Sequence, residues 1–224
     1  VKAVFNVLIS GLIQLVAIGV LLFAPAGTFD YWQAWVVLAV FAFSVWLPSI
    51  YLQLTNPAAL QRRMRGGPTA EGRPVQKIVM AGLYLSLAAI CIVGGLDQRY
   101  SWSSVPAAVC LAGAALFGLG LVVVVTVVVQ NSYASTTVQV EADQHVVSTG
   151  LYRLVRHPMY TGNVLMLVGL SLAVGSYWAP VFVVSGVLVL ASRIRDEEKL
   201  LAAELDGYLE YKEHVRARLV PYMW

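Results

Sequence analysis

The chain has 224 residues, of which 59% are hydrophobic and only 12% charged, with a mean hydropathy of +0.74. A soluble domain has no interior large enough for that much apolar surface, and the length suffices for several membrane crossings. The net charge of +3 excludes a strongly basic nucleic-acid binder, and the two cysteines, Cys91 and Cys110, lie in apolar stretches without CxxC or Cys/His spacing, so neither a disulfide framework nor a metal site is expected.

A hydrocarbon core of about 30 Å needs roughly 20 apolar residues per helix. Four stretches meet that length: Ala3 to Phe23, Tyr31 to Leu52, Val75 to Leu96, and Trp102 to Val129. The first lacks the cleavage pattern of a secretory signal and reads as a retained span. Within the fourth, the valine-rich run Val122 to Val129 is β-branched, but in lipid its backbone must bond to itself, which favours a helix. Its small residues Ala112, Gly113, Ala114, Ala115, Gly118 and Gly120 suit close helix packing, within the chain or between chains. The loop from Gln53 to Gln76 carries Arg62, Arg63, Arg65 and Arg73 against the single acid Glu71, and reads as an anionic-lipid contact and topology anchor.

Residues 130–158 differ from their surroundings. The segment is polar, yet Val138, Val140, Val146, Val147, Leu151, Tyr152, Leu154 and Val155 are spread through it and can pack against helix ends. A connection this long is uncommon unless it is functional or disordered. Two shorter apolar stretches follow, Tyr160 to Val174 and Tyr177 to Ala191, meeting at Gly175-Ser176 with Pro180 just beyond, a tight helical hairpin. From Arg195 to Val215, the residues Leu200, Leu201, Leu205, Tyr208, Tyr211 and Val215 recur near helical spacing among charges, as in an amphipathic cytoplasmic helix ended before Pro221. Every Lys and Arg except Arg99 falls on one side of this arrangement, which the positive-inside rule makes the cytoplasm, with both termini there. The fold class is therefore all-α, a polytopic membrane protein of about six membrane helices, the last two a short hairpin, plus a C-terminal amphipathic helix. Residues 1–129 form the four-helix membrane region, and 130–224 the loop, hairpin and C-terminal helix, integrated with it as one domain.

Chemistry concentrates at two places. In Arg156-His157-Pro158-Met159-Tyr160-Thr161-Gly162, Pro158 suits the first helical position and pushes His157 out of helical geometry, so the fifth helix begins there with its free N–H groups facing the polar loop. Gly162 leaves room for a backbone or ligand. Taken singly, Arg156 and His157 read as interfacial caps and Tyr160 as a belt aromatic. The second place is Arg193-Ile194-Arg195-Asp196-Glu197-Glu198. Arg193 and Glu197 are four apart on one helix face, either as a weak ion pair or with divided labour, Glu197 holding a ligand ammonium and Arg193 a substrate anion. Asp196 and Glu198 fall on other faces and read as solvated. Ionisable groups massed where a chain meets the bilayer are costly, so their conjunction points to a site.

The run His145-Val146-Val147-Ser148-Thr149-Gly150-Leu151-Tyr152, the Arg156 to Gly162 motif, Arg193 with Glu197-Glu198, and Tyr208-Leu209-Glu210-Tyr211 together resemble the isoprenylcysteine carboxyl methyltransferase family, in particular its bacterial members. The resemblance covers about residues 130–224; the earlier spans match in hydropathy alone. It implies an integral membrane enzyme, in a bacterium one of the inner membrane, that uses S-adenosylmethionine held in a cytoplasmic pocket, with a lipid-side opening for the substrate. Carried over residue by residue, cofactor contacts fall on Gln139, His145, Val146, Val147, Tyr152, His157, Pro158, Met159, Tyr160 and Glu197. The substrate-facing arginine falls on Arg193, so Arg193 and Glu197 are the expected catalytic pair.

The expected activity is methyl transfer from S-adenosylmethionine to a lipophilic acceptor entering from the bilayer, at a carboxylate. Such a displacement gains most from alignment and exclusion of water. A carboxylate acceptor needs no base; an amine acceptor does, with Glu198 and His157 as candidates. The alternatives are a phospholipid or amine N-methyltransferase, an NADPH-dependent membrane sterol or enone reductase using Arg193, Arg195, Arg216 and Arg218 for the nucleotide, and a non-enzymatic membrane protein. Expected partners are membrane lipids and the lipophilic substrate, with no nucleic acid; the sequence leaves the acceptor and the oligomeric state open.

Overall fold

The computed structural model describes residues 2–55, 60, 74–131, 133–134, 144–221 and 224, with backbone alone for 2–6 and 74–75. Among the described residues seven α-helices follow one another: α1 Lys2–Ala26, α2 Trp32–Thr55, α3 Pro74–Tyr100, α4 Ala107–Gln130, α5 Pro158–Ala173, α6 Val181–Glu204 and α7 Tyr208–His214, with a 3-10 turn at Gly150–Arg153. No strand occurs among the described residues. Helices α1 to α4 are each long and apolar enough to cross a membrane, and α5 is a shorter apolar helix. Helix α6 is apolar only from Val181 to Ala191 and carries six charged residues between Arg193 and Lys199.

The outer faces are greasier than a soluble protein tolerates. Leu12, Ile13, Val16 and Val20 of α1, Phe43 and Leu47 of α2, Ile78 and Leu85 of α3 and Leu188 of α6 are all exposed. In water this belt would be an aggregation surface; against lipid tails it is matched to its solvent. The protein is an integral membrane protein.

One core is shared by both halves of the sequence. Leu22, Tyr31, Val37, Ile90, Phe117, Leu121, Tyr160, Leu167, Leu170, Leu190 and Ile194 form a single buried cluster. Polar clamps tie the connecting turns on the face away from the proposed site. Asp97, 1% exposed, accepts hydrogen bonds from the Ser103 amide and hydroxyl at 2.7 and 2.6 Å and from the Ser176 hydroxyl at 2.5 Å. The Tyr31 hydroxyl donates to the Val174 carbonyl at 2.6 Å. The fourth helix consequently starts at Ala107 behind Pro106, later than the sequence pattern suggested: Ser103 is drawn onto Asp97, and residues 102–106 form the connection.

Helices α4 and α5 make the closest approach. A Cβ on Gly120 would lie 2.6 Å from the Gly162 carbonyl oxygen, and one on Gly113 would lie 2.6 Å from the Ala173 nitrogen and 2.9 Å from the Gly169 carbonyl oxygen. Gly113, Ala114 and Gly120 therefore pack within the chain, while Ala112 and Ala115 are exposed, and Gly162 serves backbone contact rather than a ligand. This register sets a depth. Pro158 is level with about Thr126, roughly one helical turn, some 6 Å, short of the end of α4. With α4 centred in a hydrocarbon core of about 30 Å, the start of α5 lies near the boundary between tails and headgroups, about 3 Å on the tail side.

The amphipathic stretch over 195–215 is realised in two pieces. Helix α6 runs without a break from the apolar hairpin to Glu204, and the chain then turns at Gly207, where φ is +79°, into the short α7. Only glycine enters that left-handed region without strain.

Candidate active site

The start of α5 is built as its sequence requires. His157 has φ −124° and ψ 61°, outside helical geometry, and Pro158 occupies the first turn. The preceding 3-10 turn is tied to the end of α4: the Gln130 side-chain oxygen accepts from the Leu151 amide at 2.9 Å, and the Asn131 amide donates to the Tyr152 hydroxyl at 3.1 Å. Burial pushes the Tyr152 phenol up to about 12 despite the hydrogen bond from Asn131, so it remains a neutral hydroxyl at physiological pH.

Opposite lies the inner stripe of α6, with Leu190, Arg193, Ile194 and Glu198 buried and Glu197 partly so. Arg193 and Glu197 share a face, as expected, and Tyr160 stands between them. The Tyr160 hydroxyl donates to Glu197 Oε2 at 2.5 Å and accepts from Arg193 Nε at 2.8 Å. Arg193, 2% exposed, also donates from Nη1 to the Gln76 side-chain oxygen at 3.0 Å, and the Gln76 amide donates to Asp196. A chain of polar groups thus runs Gln76, Arg193, Tyr160, Glu197, with Glu197 at its open end.

Glu198 corrects the sequence expectation. It is 5% exposed rather than solvated. Residues 194 and 198 sit only about 100° around the helix from 193 and 197, and the buried stripe is wide enough to take both rows. Arg156 donates to its Oε1 from Nε at 2.8 Å and approaches with Nη2 at 2.6 Å; Arg218 reaches Oε2 at 3.0 Å; His157 Nε2 lies 3.4 Å from Oε1. Burial alone would raise its pKa, but the hydrogen bonds from His157, Arg218 and Arg156 and the charge of Arg156 win, holding the carboxyl well below the usual carboxylate range. A carboxylate so held is a poor base at neutral pH, so Glu198 is a clamp and not the general base considered above.

The clamp fixes the C-terminal segment against the start of α5. Arg156 Nη1 donates to the Val215 and Arg216 carbonyls, each at 2.7 Å. The Arg156 and His157 amides donate to the Ala217 and Arg218 carbonyls at 2.9 and 3.0 Å, and the Thr161 hydroxyl to the Leu219 carbonyl at 2.7 Å. From α7, the Tyr211 hydroxyl donates to the Tyr152 carbonyl at 2.6 Å.

A partly open cleft lies between these parts. His157, Pro158, Met159 and Tyr160 form its floor, Glu197, Leu200, Leu201 and Leu205 one wall, Gln144 to Val147 with Tyr152 another, Asn131, Tyr133 and Ala134 its rim, and Tyr208 and Tyr211 the side toward α7. Nine of the expected cofactor residues line it: His145, Val146, Val147, Tyr152, His157, Pro158, Met159, Tyr160 and Glu197. The tenth, Gln139, lies outside the described residues. Arg193 does not line the cleft; it stands behind Tyr160.

The donor set can be tested against a nucleoside carrying an amino-acid tail. Glu197 offers a carboxylate to an ammonium, Val146, Val147, Leu200 and Leu201 offer apolar surface to a flat base, and Asn131, Gln144 and His145 offer polar edges. The Tyr208 hydroxyl is buried in the lining without a partner among the described residues, and a buried hydroxyl left so is costly unless a ligand meets it. The residues fit the group. What pattern reading missed is long-range: Gln76, Asn131, Arg218 and the Glu198 clamp carry no local motif, and nothing in their spacing marks the tyrosines of α7 as cleft residues.

Residues 109–205 match the family model of phospholipid methyltransferases. The matched stretch runs from α4 through α6 and contains the Pro158 turn, Arg193, Glu197 and Glu198. No curated protein matches the chain.

Proposed function

We propose that the protein is an S-adenosylmethionine-dependent methyltransferase acting on a lipophilic acceptor that enters from the bilayer. The supporting observation is the polar chain Arg193–Tyr160–Glu197, which presents the Glu197 carboxylate to a cleft of mixed polar and apolar lining, near the tail–headgroup boundary and inside the stretch that matches a methyltransferase family. When bound, S-adenosylmethionine supplies a methyl group on a sulfonium. The residues do the rest: Glu197, oriented by the Tyr160 hydroxyl, holds the ligand ammonium; Tyr208 takes a polar group on the opposite side; the walls of α6 and residues 144–147 exclude water. The cleft opens toward the cytoplasm, as the distribution of Lys and Arg indicates.

The acceptor is proposed to be a carboxylate, as in the isoprenylcysteine carboxyl methyltransferases that the sequence resembles. A carboxylate is ionised at neutral pH and needs no base, and Glu198, one of the two base candidates for an amine acceptor, is saturated by its donors and does not line the cleft. Arg193 then acts through Tyr160 and draws an anionic acceptor toward the floor. A second reading, N-methylation of a phospholipid amine, is favoured by the family matched over 109–205. The reductase reading has less support: of its four arginines, Arg218 is engaged by Glu198, Arg216 lines a different cleft, and neither Arg193 nor Arg195 lines this one.

The test uses membranes containing the protein and methyl-labelled S-adenosylmethionine. Label should enter the organic-extractable fraction and leave it as methanol on mild base. Base-stable label in an amine headgroup would move the assignment to the second reading, and no transfer to any extractable acceptor would remove the proposal.

A further inference from the structure

A second cleft lies on the other side of the C-terminal segment, lined by Arg153, Leu154, His214, Val215, Arg216, Ala217, Pro221 and Trp224. Its chemistry differs from that of the first. Three basic side chains, Arg153, His214 and Arg216, converge with no acid in the lining. Neither the Arg153 nor the Arg216 guanidinium makes a hydrogen bond or ion pair among the described residues. Beside them are apolar groups open to the surroundings: Leu154 is 57% exposed, Val220 45% and Trp224 36%. The indole is not loose, since the Arg218 guanidinium lies 5.1 Å from its ring centre and is itself fixed on Glu198.

Two free guanidiniums and an imidazole beside an indole and aliphatic side chains suit an amphiphile with an anionic head. Guanidinium matches phosphate oxygens in charge and fork geometry, and the indole and Leu154 suit the first carbons of the tails. Depth agrees: the cleft adjoins Arg156, two residues before the start of α5, which lies near the tail–headgroup boundary. We propose that this cleft binds the phosphate headgroup of an anionic phospholipid, separate from the methyl acceptor. Its backbone is the part of the chain that Arg156 holds through the Val215 and Arg216 carbonyls. A lipid seated there therefore secures the C-terminal segment against the start of α5 and stabilises the fold. The site stands independently of the methyltransferase reading.

The test is thermal unfolding of the full chain in nanodiscs of phosphatidylcholine titrated with phosphatidylglycerol. The wild type should gain stability at a low anionic fraction. In Arg153→Gln/Arg216→Gln the fraction needed for half the gain should rise about thirtyfold, the worth of two interfacial charges, or the gain should vanish. Arg195→Gln/Lys199→Gln removes the same charge from exposed positions on α6 and should shift it by no more than a few-fold. Equal shifts in the two variants would mean diffuse surface charge and overturn the site. A full gain from inorganic phosphate in pure phosphatidylcholine would overturn the assignment to a lipid.

Discussion

Glu198→Gln isolates the clamp, because it removes a charge and keeps the shape. The side chains of Arg156 and Glu198 are 4% and 5% exposed, and removing one member of so buried a pair costs about 3–5 kcal/mol. Arg156 keeps its two carbonyl acceptors, which places the expected loss near about 3 kcal/mol. The companion variant Arg218→Gln breaks the other arm of the same carboxylate, but that side chain is 28% exposed and water replaces the bond, so about 1 kcal/mol is expected. At this chain length each kcal/mol moves Tm by about 2–4 °C, giving about 6–12 °C for Glu198→Gln and at most about 4 °C for Arg218→Gln. Thermal unfolding of the detergent-solubilised protein reads both. The pH dependence has a definite sign: a carboxyl whose folded pKa is depressed contributes stability that is full above its unfolded pKa, about 4.3, and erodes as pH falls below it toward the folded value. The wild type should therefore lose stability more steeply than Glu198→Gln only below about pH 4. Equal Tm losses in the two variants, or a difference between wild type and Glu198→Gln that fades already between pH 7 and 5, would refute the clamp.

Tyr160→Phe deletes the hydroxyl between Glu197 and Arg193 and should lower affinity for S-adenosylmethionine about tenfold, the worth of a hydrogen bond to a charged group, with little change in helix content by circular dichroism. Tyr208→Phe should act with opposite signs on two readouts. Removing an unpartnered buried hydroxyl raises the Tm of the ligand-free protein, while S-adenosylhomocysteine, measured by calorimetric titration, binds about 2–10-fold more weakly. Gly120→Ala drives a Cβ to 2.6 Å from the Gly162 carbonyl oxygen and should destabilise by about 1–3 kcal/mol. Gly118→Ala meets only Val40 at 3.4 Å and should be neutral in the same thermal assay.

How far the sequence reached follows from which forces are local. The spans were legible because apolar length is a one-dimensional property, and the start of α5 because Pro158 dictates the geometry of its own neighbourhood. Nine positions of the cleft were legible through the resemblance, which carries contacts among distant segments that spacing alone cannot. Glu198 was misread because a helical wheel assigns faces without saying how wide the buried stripe is. Gln76 and Arg218 were invisible for another reason: each meets its partner across 117 or 20 residues, and no local pattern marks such a meeting. The break at Gly207 split the amphipathic stretch for want of any penalty that periodicity alone could register.

The central claim is that the cleft lined by Tyr160 and Glu197 holds a sulfonium nucleoside through its amino-acid tail. Calorimetric titration of the purified protein with S-adenosylmethionine, S-adenosylhomocysteine and NADPH, repeated on Glu197→Ala and His157→Ala, tests it most directly. The first two ligands should bind the wild type and bind both variants more weakly, and NADPH should give no heat. Binding of NADPH, or equal affinities in the wild type and Glu197→Ala, would contradict the account.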